Sequence, residues 1–274
     1  MTVPHVTLNN GIEVPQLGFG VWRVPRAETH RVVTAALEAG YRHIDTAKLY
    51  DNEEAVGAAV RDSGLDRDQV FVTTKVWNSD QGYDATLRAF DASMDRLGFD
   101  VLDLYLIHWP RPGKDTAVET WRAMERLYLD GRIRAIGVSN FQPDHLRRLL
   151  DKSEVVPVVN QVELHPYLQQ VEVRKANDEL GVVTEAWSPL AKGGDLLDDP
   201  TITALADKHG VAPAQVVLRW HMQLGTVAIP KSVTPKRIRQ NIDVFGFRLD
   251  EQDMAMVATL DRDGRTGPHP DQLT

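Results

Sequence analysis

The stretch YLIHWP, residues 105–110, ends a nearly continuous apolar run with an imidazole, an indole and a proline. The same abrupt change recurs along the chain. Apolar runs close on Asp45 and then Tyr50, on Lys75 and Trp77, on His108 and Trp109, and on Ser139 and Asn140. Later runs close on Asn160, Gln161 and Glu163, on Trp187 and Ser188, and on Lys231 and Ser232. Taken singly these residues have ordinary readings, Asp45 as a turn cap and Lys75 as a solvated strand end. A carboxylate, a phenol, an ammonium and an imidazole that all end successive strands converge on one rim, where they can hold and move protons.

Other chemistries lack their residues. With no cysteine there is no thiolate nucleophile, no disulfide and no sulfur-bound metal. His43, His108, His165 and Glu163 do not form a paired ligand motif such as H-E-x-x-H, and no Asp-rich calcium loop occurs, so no metal is expected. A nucleophile elbow, a Walker loop and a G-x-G-x-x-G fingerprint are also missing. The GFG at 18–20 is too short to count as a phosphate loop.

The elements that must position these groups follow from the alternation of apolar runs with helical patterns. VTLNNGIEVP reads as two short strands joined by an Asn-Gly turn. After it come LGFG and a helix over 26–39, HIDTA and 53–62, VFVTTKV and 83–97, and VLDLYLI and 117–129. IRAIGVS then precedes 143–150, PVVNQVE precedes 169–180, GVVTEAWS precedes helices at 202–209 and 213–224, and TVAIP precedes 235–241. Prolines 143, 213 and 235 mark helix starts, and glycines stand near helix ends. Eight strand and helix pairs without a linker predict an α/β fold, a single (β/α)8 TIM barrel over 1–274 whose N-terminal hairpin closes the bottom.

Composition bounds the partners. The chain has 274 residues, 42% of them hydrophobic and 26% charged, with a formal net charge of -8. It has no overall basic footprint for nucleic acid or an anionic membrane. The start, MTVPHVTLNNG, lacks the pattern of a secretion signal, and no apolar run is long enough to span a bilayer. The expectation is a cytoplasmic protein, a monomer, acting on a small molecule.

GYRHIDTAKLYDNEEAVG at 40–57, TTKVW, LYLIHWP, IRAIGVSNF, VVNQVELHP and IPKSVTPKRIRQN occur in one order and spacing that resembles the aldo-keto reductase family along essentially the whole chain. Within it the pattern resembles bacterial reductases of the 2,5-diketo-D-gluconate reductase type. The resemblance implies a catalytic tetrad of Asp45, Tyr50, Lys75 and His108, and NADPH/NADP+ bound across the barrel mouth. Residue chemistry agrees with it. Carbonyl reduction needs a proton donor, for which a phenol with a reference pKa of about 10 is suited when a cation such as Lys75 lowers it modestly. Asp45 keeps Lys75 charged, and His108 orients the carbonyl and stabilises the developing oxyanion.

The resemblance also implies cofactor contacts. Ser139, Asn140 and Gln161 suit the nicotinamide carboxamide, and Trp187, a tyrosine in many family members, offers a stacking face, with Ser188 and Leu190 beside it. KSVTPKRIR at 231–239 holds four basic residues and no acidic one. There Lys231, Ser232 and Arg237 are expected to grip the 2′-phosphate, with Val233 and Thr234 beside them on the cofactor and Gln240 and Asn241 at the adenine edge, favouring NADPH over NADH. Trp22, Trp77, His108 and Trp109 are expected to wall a site for small aldehydes, ketones or keto-sugar acids. Two rival readings are a weakly catalytic NADPH-binding regulatory subunit of the same fold and a Schiff-base aldolase using Lys75.

Overall fold

Two short antiparallel strands, β1 (His5–Thr7) and β2 (Glu13–Pro15), open the chain with Val6 opposite Val14 and Gly11 at φ 82° in the turn between them. The computed structural model describes residues 3–114 and 116–273; Asp115, in the segment RPGKDTA that follows LYLIHWP, lies outside them. Eight further strands form one sheet in sequence order: β3 (Phe19–Gly20), β4 (His43–Asp45), β5 (Phe71–Val76), β6 (Leu102–Ile107), β7 (Ile133–Ser139), β8 (Val159–Glu163), β9 (Val183–Trp187) and β10 (Val227–Ala228). All neighbours in it run parallel. Leu17 bridges Ala228 in parallel, and the Gly18 amide donates to the Ala228 carbonyl at 2.9 Å. That contact curls the sheet into a nearly closed barrel.

Strand alternation divides the apolar residues between two cores. Ile44, Val72, Tyr105, Ile107, Ile136 and Val138 point to the helical layer. Phe71, Leu104, Leu106, Ala135, Val159 and Val227 join Leu8 and Val14 of the hairpin in a second cluster. Asn9 and Asn10 donate to the carbonyls of Pro157 and Arg134, at 3.0 and 3.1 Å, where β8 and β7 begin. The hairpin therefore plugs the N-terminal end of the barrel, as the sequence predicts, and leaves the opposite end for chemistry.

The outer layer consists of α1 (Arg26–Glu38), α2 (Glu53–Asp62), α3 (Tyr83–Leu97), α4 (Ala117–Leu129), α5 (Pro143–Leu150), α6 (Val171–Glu179), α7 (Pro200–His209), α8 (Pro213–Gln223), α9 (Pro235–Ile242) and α10 (Glu251–Ala258). In α1 the buried residues Thr29, Val32, Val33 and Ala36 fall at helical spacing. Two differences from the expected elements have local causes. Helix α6 starts at Val171 because Gln170 is left-handed, at φ 50°, and Gln169 is turned outside the helix, its backbone N–H donating to Asp261 Oδ1 and its side-chain Nε2 to the Pro166 and Val257 carbonyls. Helix α10 is weakly amphipathic and was not expected; Asp250 caps it by accepting from the Asp253 amide at 2.9 Å, and buried Asp253 pairs with Lys208 and His209 of α7. Among the described residues no helix is long and apolar enough to cross a membrane.

Candidate active site

Above the apolar plug the inward-facing positions turn polar. The alternation that sends Ile44 outward brings His43 and Asp45 inward, and β5 contributes Thr73 and Lys75 by the same parity. Lys75 is fully buried. Its ammonium donates to Asp45 Oδ1 at 2.7 Å and Oδ2 at 2.8 Å, to the Thr46 carbonyl at 2.9 Å and to the Tyr50 hydroxyl at 3.3 Å. Tyr50 ends a short 3-10 turn, Lys48–Tyr50, and is half-buried. Because its oxygen accepts from Lys75, its own proton remains available to a third group.

The ionisation states follow from burial and pairing. Burial opposes the charge on Lys75, but Asp45, at hydrogen-bond distance, together with Tyr50 and Glu185 outweighs it and raises the pKa above the ordinary lysine value. Tyr50 departs from the modest lowering expected beside a cation: burial dominates the pull of Lys75 and pushes the phenol up to about 12. Burial first, and Lys75 second, hold His108 well below the usual histidine range. The cluster at neutral pH is therefore a charged Asp45–Lys75 pair, a protonated phenol and a neutral imidazole.

Aromatic residues wall this cluster. Trp22 lies 4.7 Å from Tyr50 between ring centroids, and the His108 ring packs edge-on against Trp77 at 5.0 Å and Tyr50 at 5.8 Å. Trp22 is 43% exposed and stands at the rim, as does Leu49, which the sequence reading did not single out. Trp109 is buried, with its carbonyl held by the Gln81 amide at 2.7 Å. Lys48 contacts Asp80 and so ties the Tyr50 turn to the segment after Trp77.

A second group of polar side chains lies across the mouth. Ser139 Oγ donates to the Gln161 carbonyl at 2.8 Å; Asn140 donates to the His108 carbonyl at 3.0 Å and accepts from Trp187 Nε1 at 2.8 Å. Asn140 holds a left-handed backbone, φ 65°, where asparagine is tolerated. Gln161 Nε2 donates to Asp45 Oδ2 at 2.8 Å. Asn160, by strand parity, faces away and bonds Phe141 and Asn177. Ser188 and Leu190 are half-buried in the turn that follows Trp187.

After β10, Lys231, Thr234 and Arg237 are exposed, Val233 and Gln240 half-buried, and Ser232 and Asn241 buried. Ser232 Oγ accepts from the Thr234 amide at 3.2 Å, which shapes the entry to α9. Lys231, Lys236, Arg237 and Arg239 form no ion pair among the described residues. Four uncompensated cations, a half-buried indole and the uncommitted Oε1 of Gln161 are a donor set that fits a nicotinamide dinucleotide carrying an extra phosphate.

Two features escaped the sequence reading. Glu185 is buried beside Gln161 and Asp45, on a strand whose pattern reads as ordinary core. Glu163 accepts from the Thr266 amide at 2.6 Å, the Gly267 amide at 3.0 Å and His165 at 3.2 Å, which pins segment 262–267 at the mouth. A Cβ on Gly267 would come within 2.5 Å of Trp187 Cη2, so the segment packs directly on the indole edge.

A model of the aldo/keto reductase family matches residues 16–262. An aldo-keto reductase of Mycobacterium sp. (strain JLS) is 59% identical over 270 residues, covering 98% of each chain. The glyoxal reductase of Bacillus subtilis (strain 168) is 52% identical, covering 98% of this chain and 96% of its own. Among solved structures, a Gox0644 variant in complex with NADPH superposes with a TM-score of 0.96 at 48% identity, covering 100% of both chains.

Proposed function

Since this chain belongs to the aldo/keto reductase family and is an NADPH-dependent oxidoreductase, we propose that it reduces small aldehydes, ketones or keto-sugar acids to alcohols with Tyr50 as proton donor. The observation that carries this reading is the 3.3 Å contact from Lys75 Nζ to the Tyr50 oxygen, made while both Asp45 oxygens anchor the ammonium. Bound NADPH supplies the hydride. His108, neutral, hydrogen-bonds the substrate oxygen through Nε2 and orients the carbonyl. Tyr50 gives its proton to that oxygen as negative charge develops, and Lys75 stabilises the phenolate left behind. Asp45 keeps the lysine charged inside the barrel.

Ser139, Asn140 and Gln161 hold the carboxamide side of the cofactor, and Trp187, Ser188 and Leu190 pack beside the ring. Lys231, Ser232 and Arg237 take the 2′-phosphate, with Val233 and Thr234 beside them and Gln240 and Asn241 along the adenine. Trp22, Trp77 and Trp109 wall the substrate side of the cluster, a setting suited to compact carbonyl compounds. The similarity to a glyoxal reductase supports dicarbonyls as the first substrates to try. We read the chain as one domain that works as a cytoplasmic monomer.

The test is oxidation of NADPH followed by absorbance with methylglyoxal, a nitrobenzaldehyde, a diketone and 2,5-diketo-D-gluconate, repeated with NADH. Turnover favouring NADPH is expected. Tight NADPH binding without turnover of any carbonyl would replace the reductase reading with a regulatory one.

A further inference from the structure

Glu185 has no evident reason to be a carboxylic acid. It is 1% exposed and stands directly across the ladder from Gln161, its register partner on β8. Its Oε2 accepts from Gln161 Nε2 at 3.0 Å, and its Oε1 is buried without a hydrogen bond, 3.6 Å from His43 Nε2. The Lys75 ammonium is engaged by Asp45, Thr46 and Tyr50 and makes no hydrogen bond to Glu185. His43 is held neutral, burial and then Lys75 pushing it down to about 3, and its Nε2 meets Thr73 Oγ1 at 3.1 Å. A buried carboxyl without an ion pair is costly, so this one needs a purpose.

The Gln161 amide supplies it. One nitrogen with two protons faces two carboxyls, Asp45 Oδ2 at 2.8 Å and Glu185 Oε2 at 3.0 Å. Two acceptors on one side fix which end of the amide is nitrogen. The carbonyl Oε1 accepts no hydrogen bond from the described residues and is not sealed among the buried unpartnered atoms. We propose that Glu185 is a positioning residue for the cofactor: together with Asp45 it takes both Gln161 amide protons, leaving Gln161 Oε1 turned to accept the N–H of the nicotinamide carboxamide. Glu185 itself touches neither cofactor nor substrate. The role requires an acceptor oxygen at this place and no negative charge, and the surroundings disfavour the charge: burial, then Asp45, pushes the Glu185 carboxyl well above the usual carboxylate range.

This inference rests on the reductase reading, and the two fail differently. If the wild-type protein neither binds nor oxidises NADPH, the reading itself is wrong. If it does, Glu185→Leu and Glu185→Gln are compared by NADPH affinity, by affinity for 2′-phospho-ADP-ribose, which lacks the nicotinamide, and by steady-state turnover. Glu185→Leu is expected to weaken NADPH about tenfold and lower kcat by a similar factor while the fragment binds as before. Glu185→Gln, which keeps an acceptor, is expected to stay within about threefold of wild type. Leucine behaving like glutamine, glutamine failing like leucine, or an equal loss of fragment binding would each overturn the proposal. Should Glu185→Leu not fold, Glu185→Thr serves, its side chain being too short to reach Gln161. A 3-acetylpyridine analogue of NADP+, which has no carboxamide N–H, gives an independent reading: wild type should bind it about tenfold more weakly than NADP+, and Glu185→Thr should not distinguish the two. Equal discrimination by both proteins also overturns it.

Discussion

The Tyr50 hydroxyl accepts from Lys75 Nζ at 3.3 Å, and the centroid of its ring lies 5.0 Å from the same nitrogen. A phenol so placed keeps its proton pointed away from the lysine, toward the space between His108 and Trp22. Tyr50→Phe removes that proton and almost nothing else, because the ring packing against Trp22 persists. The expected result is a kcat lowered about 10²–10⁴-fold, the usual contribution of a positioned acid. NADPH affinity by fluorescence titration should change by less than about threefold. A variant with near-normal turnover would remove Tyr50 from the chemistry.

The strand-end residues were legible because a buried strand of Val, Ile and Leu makes any polar terminus conspicuous. Asp45, Lys75, His108, Ser139 and Gln161 stood out for this reason, and the structure gathers them at one end of the barrel. Glu185 was not legible: it lies inside the run VTEAW, and only its register against Gln161 gives it a partner. The docking of Thr266 on Glu163 was hidden too: Glu163 ends a strand, but its partner is 103 residues away in a segment with no local pattern. The ionisation of Tyr50 was misjudged because a cation is readable in sequence, whereas the depth at which the pair is buried is not.

That depth sets the pH dependence. The raised Tyr50 pKa, about 12, keeps the phenol protonated throughout the neutral range. Aldehyde reduction should therefore hold level from about pH 6 to 9 as far as the proton donor is concerned. The neutral His108 should add no step near the ordinary histidine pKa. Alcohol oxidation with NADP+ needs the phenolate instead, so its rate should climb about tenfold per pH unit with no plateau near neutrality. Rate profiles in both directions check this, and a plateau in oxidation below about pH 9 would mean that the bound state lowers the phenol after all.

The exposed cations after β10 make a separate prediction about cofactor choice. If Lys231 and Arg237 hold the 2′-phosphate as proposed, Lys231→Ala and Arg237→Ala each remove one charge-assisted contact, worth about 1.5–3 kcal/mol. NADPH affinity should fall about 10–100-fold per substitution, while NADH affinity should barely move. Raising the salt concentration should weaken NADPH binding to wild type more than to either variant. Parallel losses for both cofactors would assign the basic cluster to the shared diphosphate rather than to the extra phosphate.

Glu163 offers a test of how segment 262–267 is held over the indole. Burial alone would raise its pKa, but hydrogen bonds from His165, Thr266 and Gly267 outweigh it and lower the value from 4.5 to about 2. A carboxylate depressed in the folded state contributes stability that is complete above its unfolded pKa and disappears as pH falls through the folded one. Glu163→Gln cannot titrate and lacks the charge that strengthens these bonds. Its stability deficit, about 1–3 kcal/mol by urea unfolding, should be full near pH 6 and shrink between about pH 4.5 and 2. Because Gly267 packs on Trp187, the variant should also expose that indole and change its fluorescence at neutral pH. A deficit independent of pH would mean that shape, and not the charge of Glu163, fastens the segment.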